Sequence, residues 1–172
     1  ARKAREAIGI IVSLADEYGY ASEGESFSIA DKDEAWVMDL IGKGMDIKDG
    51  KNLRKGLVWV ARRVPDGYIC SHANQARIQT FPLDDPENCL YAPDVISFAR
   101  EMGFFCGEDK DFDFSAAYCP YDAGTVRSCD ARAWSIFNTL CGGVFTYEKD
   151  GKTITEKASD YYDSILGKDL SH

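Results

Sequence analysis

Apolar side chains recur with a helical period at the start of the chain. Seven of them share this period: Ala4, Ala7, Ile8, Ile11, Leu14, Ala15 and Tyr18. Spacings of three and four residues place them on one face of an α-helix, with charged side chains elsewhere. Gly19 suits the residue that follows a helix, because glycine readily adopts positive φ. The pattern predicts an amphipathic helix over residues 1–18.

After this helix, apolar and polar residues alternate with a period of two, which is typical of a β-strand. Phe27 and Ile29 alternate with serines, residues 31–34 ("DKDE") supply a turn, and residues 35–41 form an apolar second strand. Residues 43–56 are polar and rich in glycine, which is typical of a surface loop. We therefore predict a first hairpin followed by a loop.

Two further hairpins are predicted. Residues 56–64 ("GLVWVARRV") lead through Pro65-Asp66-Gly67 into residues 68–78 ("YICSHANQARI"). Proline fixes φ at the first central turn position and glycine supplies positive φ later, so this turn has a physical basis. Residues 144–157 form the third hairpin, around Asp150-Gly151.

Three more segments have helical character. Pro93 can open a helix over residues 93–102, a longer helix is predicted over residues 124–140, and a short one over residues 159–166. The connections, predicted to be irregular, are residues 81–92 and 107–122.

The predicted element order is α-ββ-ββ-α-α-ββ-α. Short hairpin links favour an antiparallel sheet, and the βαβ alternation of a parallel sheet is missing. We predict one α+β domain over residues 1–172, with helices packed on antiparallel strands.

Composition narrows the classes of function. The 172 residues are 45% apolar and carry a formal charge of −9. Nucleic-acid binding needs clustered cations, and only the pair Arg62-Arg63 is present, so we expect no nucleic-acid partner. The longest apolar runs have only a few residues, so we expect no membrane span. No phosphate loop, serine elbow or cofactor motif occurs, and we expect no cofactor.

Six cysteines at irregular spacings, without a Cys-x-x-Cys motif, predict free thiols rather than a disulfide framework. With only two histidines, a zinc site is not expected. Free thiols suit the cytoplasm. However, the chain begins at Ala1 rather than methionine, so a targeting signal can lie upstream in a longer protein.

The segment "SHANQARI" (residues 71–78) is unusually polar for the end of a core strand. On a strand, Cys70, His72 and Asn74 share one face. Neighbours two residues apart stand roughly 6–7 Å from each other, too far for a Cys–His nucleophile pair. A half-buried thiol and a hydrogen-bonded imidazole are the simpler interpretation. The Asn74 amide can donate to a developing oxyanion, or it can end the strand by binding turn backbone.

Four charged residues are further candidates. Asp39 lies between apolar residues and is a buried-carboxylate candidate, although exposure at the strand edge is the simpler account. Arg77, Arg127 and Arg132 fit surface cations or carboxylate partners better than catalytic groups. Arg127 opposes the dipole in the first turn of its helix, which hints at a specific anionic partner.

Four long segments resemble one family. They are "EYGYASEGESFSIADKDEAWVMDLIGKG", "GLVWVARRVPDGYICSHANQARI", "NCLYAPDVISFAREMGFF" and "VRSCDARAWSIFN". Together they resemble the dipeptidase family of N-terminal-nucleophile (Ntn) hydrolases, which is related to penicillin V acylase and bile salt hydrolase. The resemblance covers nearly all of residues 5–138 and is weak after Gly143.

The resemblance implies an αββα sandwich and cleavage of dipeptides by an N-terminal cysteine, whose own α-amino group acts as base. It aligns "HAN" with a "TN" pair of the related acylases, whose asparagine contributes to the oxyanion hole. Asn74 would therefore be that donor. It also likens Arg127 to an arginine near the nucleophile, where a cation favours the thiolate or anchors a carboxylate. His72, at the same polar rim, is predicted to contact substrate.

The chain departs from the family in one major respect. The nucleophilic cysteine should lie upstream of the first helix, and Ala1 cannot replace it. We therefore expect an internal portion of a dipeptidase that is inactive alone and associates with itself through exposed strand edges and apolar surface. The alternatives are a related amidase acting on penicillin V or bile salts, or a non-catalytic binding module of the same fold.

Overall fold

A four-stranded antiparallel sheet forms the centre of the computed structural model, which describes residues 1–140, 142–149 and 151–157. Its strands are β1 (Gly24–Ala30), β2 (Ala35–Gly42), β5 (Leu57–Val64) and β6 (Cys89–Tyr91), in the order β1-β2-β5-β6. β3 (Ile47–Lys48) and β4 (Lys51–Asn52) form a short hairpin within the predicted surface loop. The predicted α+β class with an antiparallel sheet is confirmed.

The first helix, α1 (Ala4–Tyr18), covers one face of the sheet. It contributes Ala4, Ile8 and Ala15 to a core whose sheet side is Trp36, Met38, Leu40, Leu57 and Ala61. Leu14 and Tyr18, predicted on the packed face, are instead 50% and 72% exposed. They lie to one side of the line of contact through Ala4, Ile8 and Ala15. The helix is confirmed, but its packed face is narrower than predicted.

The opposite face of the sheet supports a second core. Val58 and Val60 of β5 point to this face, since side chains alternate along a strand. They pack with α2 (Val95–Glu101) and with Phe112 and Phe114. The second aromatic opens the short helix α3 (Phe114–Tyr118). The sheet is therefore buried on both faces over its central strands.

The predicted second hairpin is wrong in its second strand. Its turn forms as expected, since the Tyr68 N–H donates to the Pro65 carbonyl at 3.1 Å and Gly67 has φ +82°. Residues 68–78 then run without any strand pairing. The position beside β5 is taken by β6, with Ala61 opposite Leu90. Residues 68–78 are instead attached to the sheet by hydrogen bonds to the side chains of Ser28 and Asp39.

The predicted helix over residues 124–140 is observed as one helical run. It consists of α4 (Ala123–Thr125), a π turn (Val126–Asp130) and α5 (Ala131–Leu140). Asp122 caps its start by accepting from the N–H groups of Gly124 and Thr125, at 2.9 and 3.0 Å. α5 has no buried residue, and Ile136 and Leu140 are exposed.

The remaining elements follow the predictions in part. α2 begins at Val95, two residues after Pro93. The third hairpin is confirmed as β7 (Val144–Lys149) paired with β8 (Lys152–Lys157). The predicted helix over residues 159–166 lies outside the described residues. No helix in the described part of the chain is long and apolar enough to cross a membrane.

Asp31, in the turn of the first hairpin, caps α1 across a distance of 27 residues in the sequence. Its carboxylate accepts from the Ala4 N–H at 2.9 Å and from the Asp33 N–H at 2.7 Å. These hydrogen bonds, in the first place that from the Ala4 N–H, favour the carboxylate and lower the pKa of Asp31. The helix start and the hairpin turn therefore depend on one carboxylate.

We expect Asp31→Ala to lower the midpoint of thermal unfolding by a few degrees at pH 7. Because the folded-state pKa of Asp31 is depressed, its contribution is complete above the unfolded value of about 4 and is lost as pH falls through the folded value. The difference between wild type and variant should therefore shrink below pH about 4. Asp84→Ala, in an exposed loop, is the control. A difference that is constant from pH 7 to pH 3 would contradict the interpretation.

Candidate functional site

The polar segment predicted to be a strand end lies against the sheet and is held there by side chains of β1 and β2. The His72 imidazole is 3.0 Å from the Ser28 hydroxyl through Nε2. Asp39 accepts from the N–H groups of Arg77 and Ile78 at 2.8 and 3.0 Å. Asp39 is only 1% exposed, so its predicted exposure at the strand edge is wrong. Side-chain hydrogen bonds replace the strand pairing that the segment lacks.

Asn74 lies at a bend within this segment and is exposed. Its φ is +58°, a left-handed conformation that few residues other than glycine and asparagine adopt. Such a conformation costs on the order of 1 kcal/mol and persists only where the surroundings impose it. The backbone at Asn74 is therefore held by its neighbours.

Arg132 fixes the direction of the Asn74 amide. Its Nη2 donates to the Asn74 Oδ1 at 2.8 Å and to the Ala73 carbonyl at 3.4 Å. A guanidinium only donates hydrogen bonds, so the amide oxygen must face Arg132 and the NH₂ group must face away. Among the hydrogen bonds of the described residues, none uses the Asn74 NH₂ group. The amide is thus oriented with two N–H donors available.

A second arginine joins this segment to the helical run at residues 123–140. Arg77 donates to both carboxylate oxygens of Asp130, at 2.8 and 3.0 Å. Its guanidinium also donates to the Cys119 carbonyl at 2.9 Å and lies 4.3 Å from the centre of the Tyr121 ring. A planar guanidinium suits such bidentate and stacked contacts. The prediction of Arg77 as a carboxylate partner is confirmed.

Asn74 opens into a cleft of about 990 Å³. Its apolar wall includes Phe98, Met102, Phe104 and Tyr118. Met102 and Phe104 are 39% and 51% exposed, so this wall is in contact with solvent. Its charged lining consists of three carboxylates, from Glu23, Glu25 and Asp122, and the Lys43 ammonium group. Its size and mixed lining suit a small ligand with both apolar and charged groups.

His72 lines a different and smaller cavity. This cavity, about 240 Å³, is also lined by Cys70, Asp39 and Arg62. The structure therefore separates two of the predicted site residues, with Asn74 on the larger cleft and His72 on the smaller cavity. The geometric prediction for Cys70 and His72 assumed a strand, and residues 68–78 are not one.

Arg127 is exposed on the π turn and lines neither cavity. Its guanidinium makes no hydrogen bond or ion pair within the described residues. The arginine that contacts Asn74 is Arg132, which the sequence suggested only as a surface cation or carboxylate partner. No local signal distinguished the two arginines, because the contact joins residues 58 positions apart.

The described cysteines are free thiols, as predicted: Cys70, Cys89, Cys106, Cys119 and Cys129. Cys70 is exposed rather than half-buried as predicted. Partial desolvation of its thiol still raises its pKa above the ordinary value, which disfavours the reactive thiolate. The described residues contain no group of three or more histidine, cysteine, aspartate or glutamate side chains able to hold a metal ion.

Comparison of the sequence with known proteins matches the chain to one protein family. The sequence profile of Peptidase family C69 matches residues 1–159. Dipeptidase A of Lactobacillus helveticus is 36% identical over 129 residues, which are 73% of this chain and 23% of that protein. A probable dipeptidase of Salmonella dublin is 26% identical over 154 residues, 89% of this chain and 32% of that protein. The chain spans about a third or less of these curated relatives. No solved structure matches it significantly.

Because its pKa is raised, Cys70 should react with iodoacetamide at a rate that still increases above pH about 8.5, the ordinary thiol value. Mass spectrometry of digests labelled between pH 6 and 10 gives this rate, with the exposed Cys106 as a reference in the same digest. A rate that levels off below pH about 7.5 would show a thiolate poised for nucleophilic attack and would restore Cys70 as a catalytic candidate.

Proposed function

The chain belongs to Peptidase family C69, and we propose that it is a portion of a cysteine dipeptidase that hydrolyses dipeptides. The family match over residues 1–159 carries this proposal, and the names of the relatives support the substrate class. The nucleophile would be an N-terminal cysteine outside this chain. The sheet β1-β2-β5-β6 and α1 would form one sheet and one helical layer of an αββα sandwich.

In this proposal, Asn74 donates to the oxyanion that forms when the cysteine adds to the peptide carbonyl. The contact with Arg132 supports the assignment, because it turns the amide NH₂ away from the guanidinium and leaves it free to donate. A donor that is already oriented does not have to reorganise as charge develops on the carbonyl oxygen. Arg132 would add positive charge nearby, the role that the resemblance gave to Arg127.

The larger cleft would hold the dipeptide. Its apolar wall, which includes Phe98 and Tyr118, would contact the substrate side chains. Glu25 would pair with the α-ammonium group, which a dipeptide carries and the acyl group of a penicillin V or bile salt amide does not. This distinction favours dipeptides over the amides of the related acylases. His72 remains a predicted substrate contact, on the smaller cavity.

The test is hydrolysis of a panel of dipeptides by the complete encoded polypeptide and by the 172-residue chain. We expect activity in the complete polypeptide and none in the chain. Asn74→Ala should lower kcat about a hundredfold or more, as for other oxyanion donors. Arg132→Ala should lower it roughly tenfold to a hundredfold, since a charged hydrogen bond that orients the donor is lost.

Gln79→Ala removes an exposed amide from the same loop and is the matched control, with kcat unchanged. A greater loss for Arg127→Ala than for Arg132→Ala would return the cationic role to Arg127. Hydrolysis of penicillin V or conjugated bile salts but not of dipeptides would favour the amidase. Absence of all three activities would favour a binding module.

We further propose that the isolated chain associates with itself through α1. Ile10, Leu14 and Tyr18 form an exposed apolar row at spacings of four residues, and each is at least 42% exposed. Light scattering after size-exclusion chromatography should show dimers or larger species, and Leu14→Lys should restore the monomer. Ile47→Lys, on the β3–β4 hairpin, should not. A wild-type monomer at high concentration would contradict the proposal.

A further inference from the structure

Asp39 is a buried carboxylate without a cationic partner. It lies in the middle of β2, is 1% exposed, and forms no ion pair with any described residue. A buried charge of this kind is tolerated only when hydrogen bonds replace its hydration. Three donors do so: the Ser26 hydroxyl at 2.5 Å and the N–H groups of Arg77 and Ile78 at 2.8 and 3.0 Å.

The two backbone donors belong to the irregular segment that carries Asn74. Residues 68–78 have no strand pairing, so their backbone N–H groups need other acceptors. Asp39 supplies the acceptor for two consecutive N–H groups, three and four residues after Asn74. The Ser26 hydroxyl, 3.5 Å from the Gln75 carbonyl, reaches the segment one residue after Asn74. Side chains of the sheet therefore hold the backbone of the segment in place next to Asn74.

Side chains of the helical run at residues 123–140 also bind this segment. Asp130 holds the Arg77 side chain, while Arg132 holds the Asn74 amide. Arg77 is therefore fixed twice, through its backbone by Asp39 and through its side chain by Asp130. Without Asp39, the backbone on the C-terminal side of Asn74 would lose its attachment to the sheet.

We infer that Asp39 is a positioning residue that holds the Asn74 amide at the cleft by anchoring the backbone of Arg77 and Ile78. This inference rests on the proposed function for its catalytic consequence. The anchoring itself is a property of the fold and can be measured without substrate. Asp39 does not line the cleft at Asn74, so in this arrangement it acts on that cleft through Asn74.

Anchoring is tested by hydrogen exchange in the complete polypeptide, read by mass spectrometry on peptides that cover residues 70–78 and 35–42. Asp39→Ala should speed exchange at the amides of Arg77 and Ile78 about tenfold or more, because both lose their acceptor. The β2–β5 peptides should change little. Asp39→Asn keeps a carbonyl oxygen for both N–H groups and an NH₂ group for Ser26, so it should retain most of the protection.

Positioning is tested by dipeptide kinetics on the same variants. Asp39→Ala should lower kcat about tenfold or more with KM nearly unchanged, because it weakens an interaction made in the transition state. Asp39→Asn should recover most of the activity. In a double-mutant cycle, Asp39→Ala should add less than about twofold to the defect of Asn74→Ala, since both act through one amide. Asp85→Ala, which removes another carboxylate that accepts a backbone N–H, is the control.

The outcomes separate the inference from the proposed function. Unchanged exchange over residues 70–78 would overturn the inference. So would additive kinetic defects, because Asp39 would then support the fold without acting through Asn74. Faster exchange in a polypeptide with no dipeptidase activity would uphold the anchoring and overturn the proposed function. If Asp39→Ala fails to fold, Ser26→Ala gives the same test with a smaller expected effect, because one of the three donors is removed.

Discussion

The geometry of the candidate site depends on one buried charge. Asp39 places a carboxylate on the face of a central strand where Val58 and Val60 of the neighbouring strand carry apolar side chains. A charge there must be satisfied by hydrogen bonds. Its donors are the Ser26 hydroxyl and two backbone N–H groups of a segment that has no strand partner. The Asp39 carboxylate needs donors, and the unpaired N–H groups of Arg77 and Ile78 need an acceptor. The sheet gains a satisfied carboxylate, and the segment gains a fixed path.

The two arginines extend this arrangement to the helical run. Arg77 joins the segment to Asp130, and Arg132, two residues further along the same helical run, contacts the segment at Asn74. The sheet therefore fixes the backbone, and the helix fixes the direction of the amide. Neither contact alone would define both. This division explains how an exposed residue with a left-handed backbone can still present its amide in a defined direction.

Local patterns predicted the elements whose backbone hydrogen bonds join residues close together in the sequence. The period of α1 and the turn residues of the first hairpin lie within a few positions of the bonds they specify, and both elements were predicted correctly. The strand prediction for residues 68–78 was wrong because a favourable turn precedes them. The second partner of β5 is instead a three-residue strand inside a proline-rich segment. The burial of Asp39 and the contact of Arg132 depend on residues 38 and 58 positions away. Spacing along the sequence carries no information about such pairs.

From these sequence separations we also expect an order of events during folding. The first hairpin and α1 form through contacts between residues close in the sequence. The segment around Asn74 is held by contacts with residues 26 and 39 on one side and with residues 130 and 132 on the other. Contacts of long sequence separation form late, since the entropy of closing the loop is lost before the contact is gained. We expect the segment to be the last part of this region to order and the first to open. Oxyanion stabilisation by Asn74 would then require complete folding of this region, because the amide is aligned only when the sheet has formed and the helical run is packed beside it.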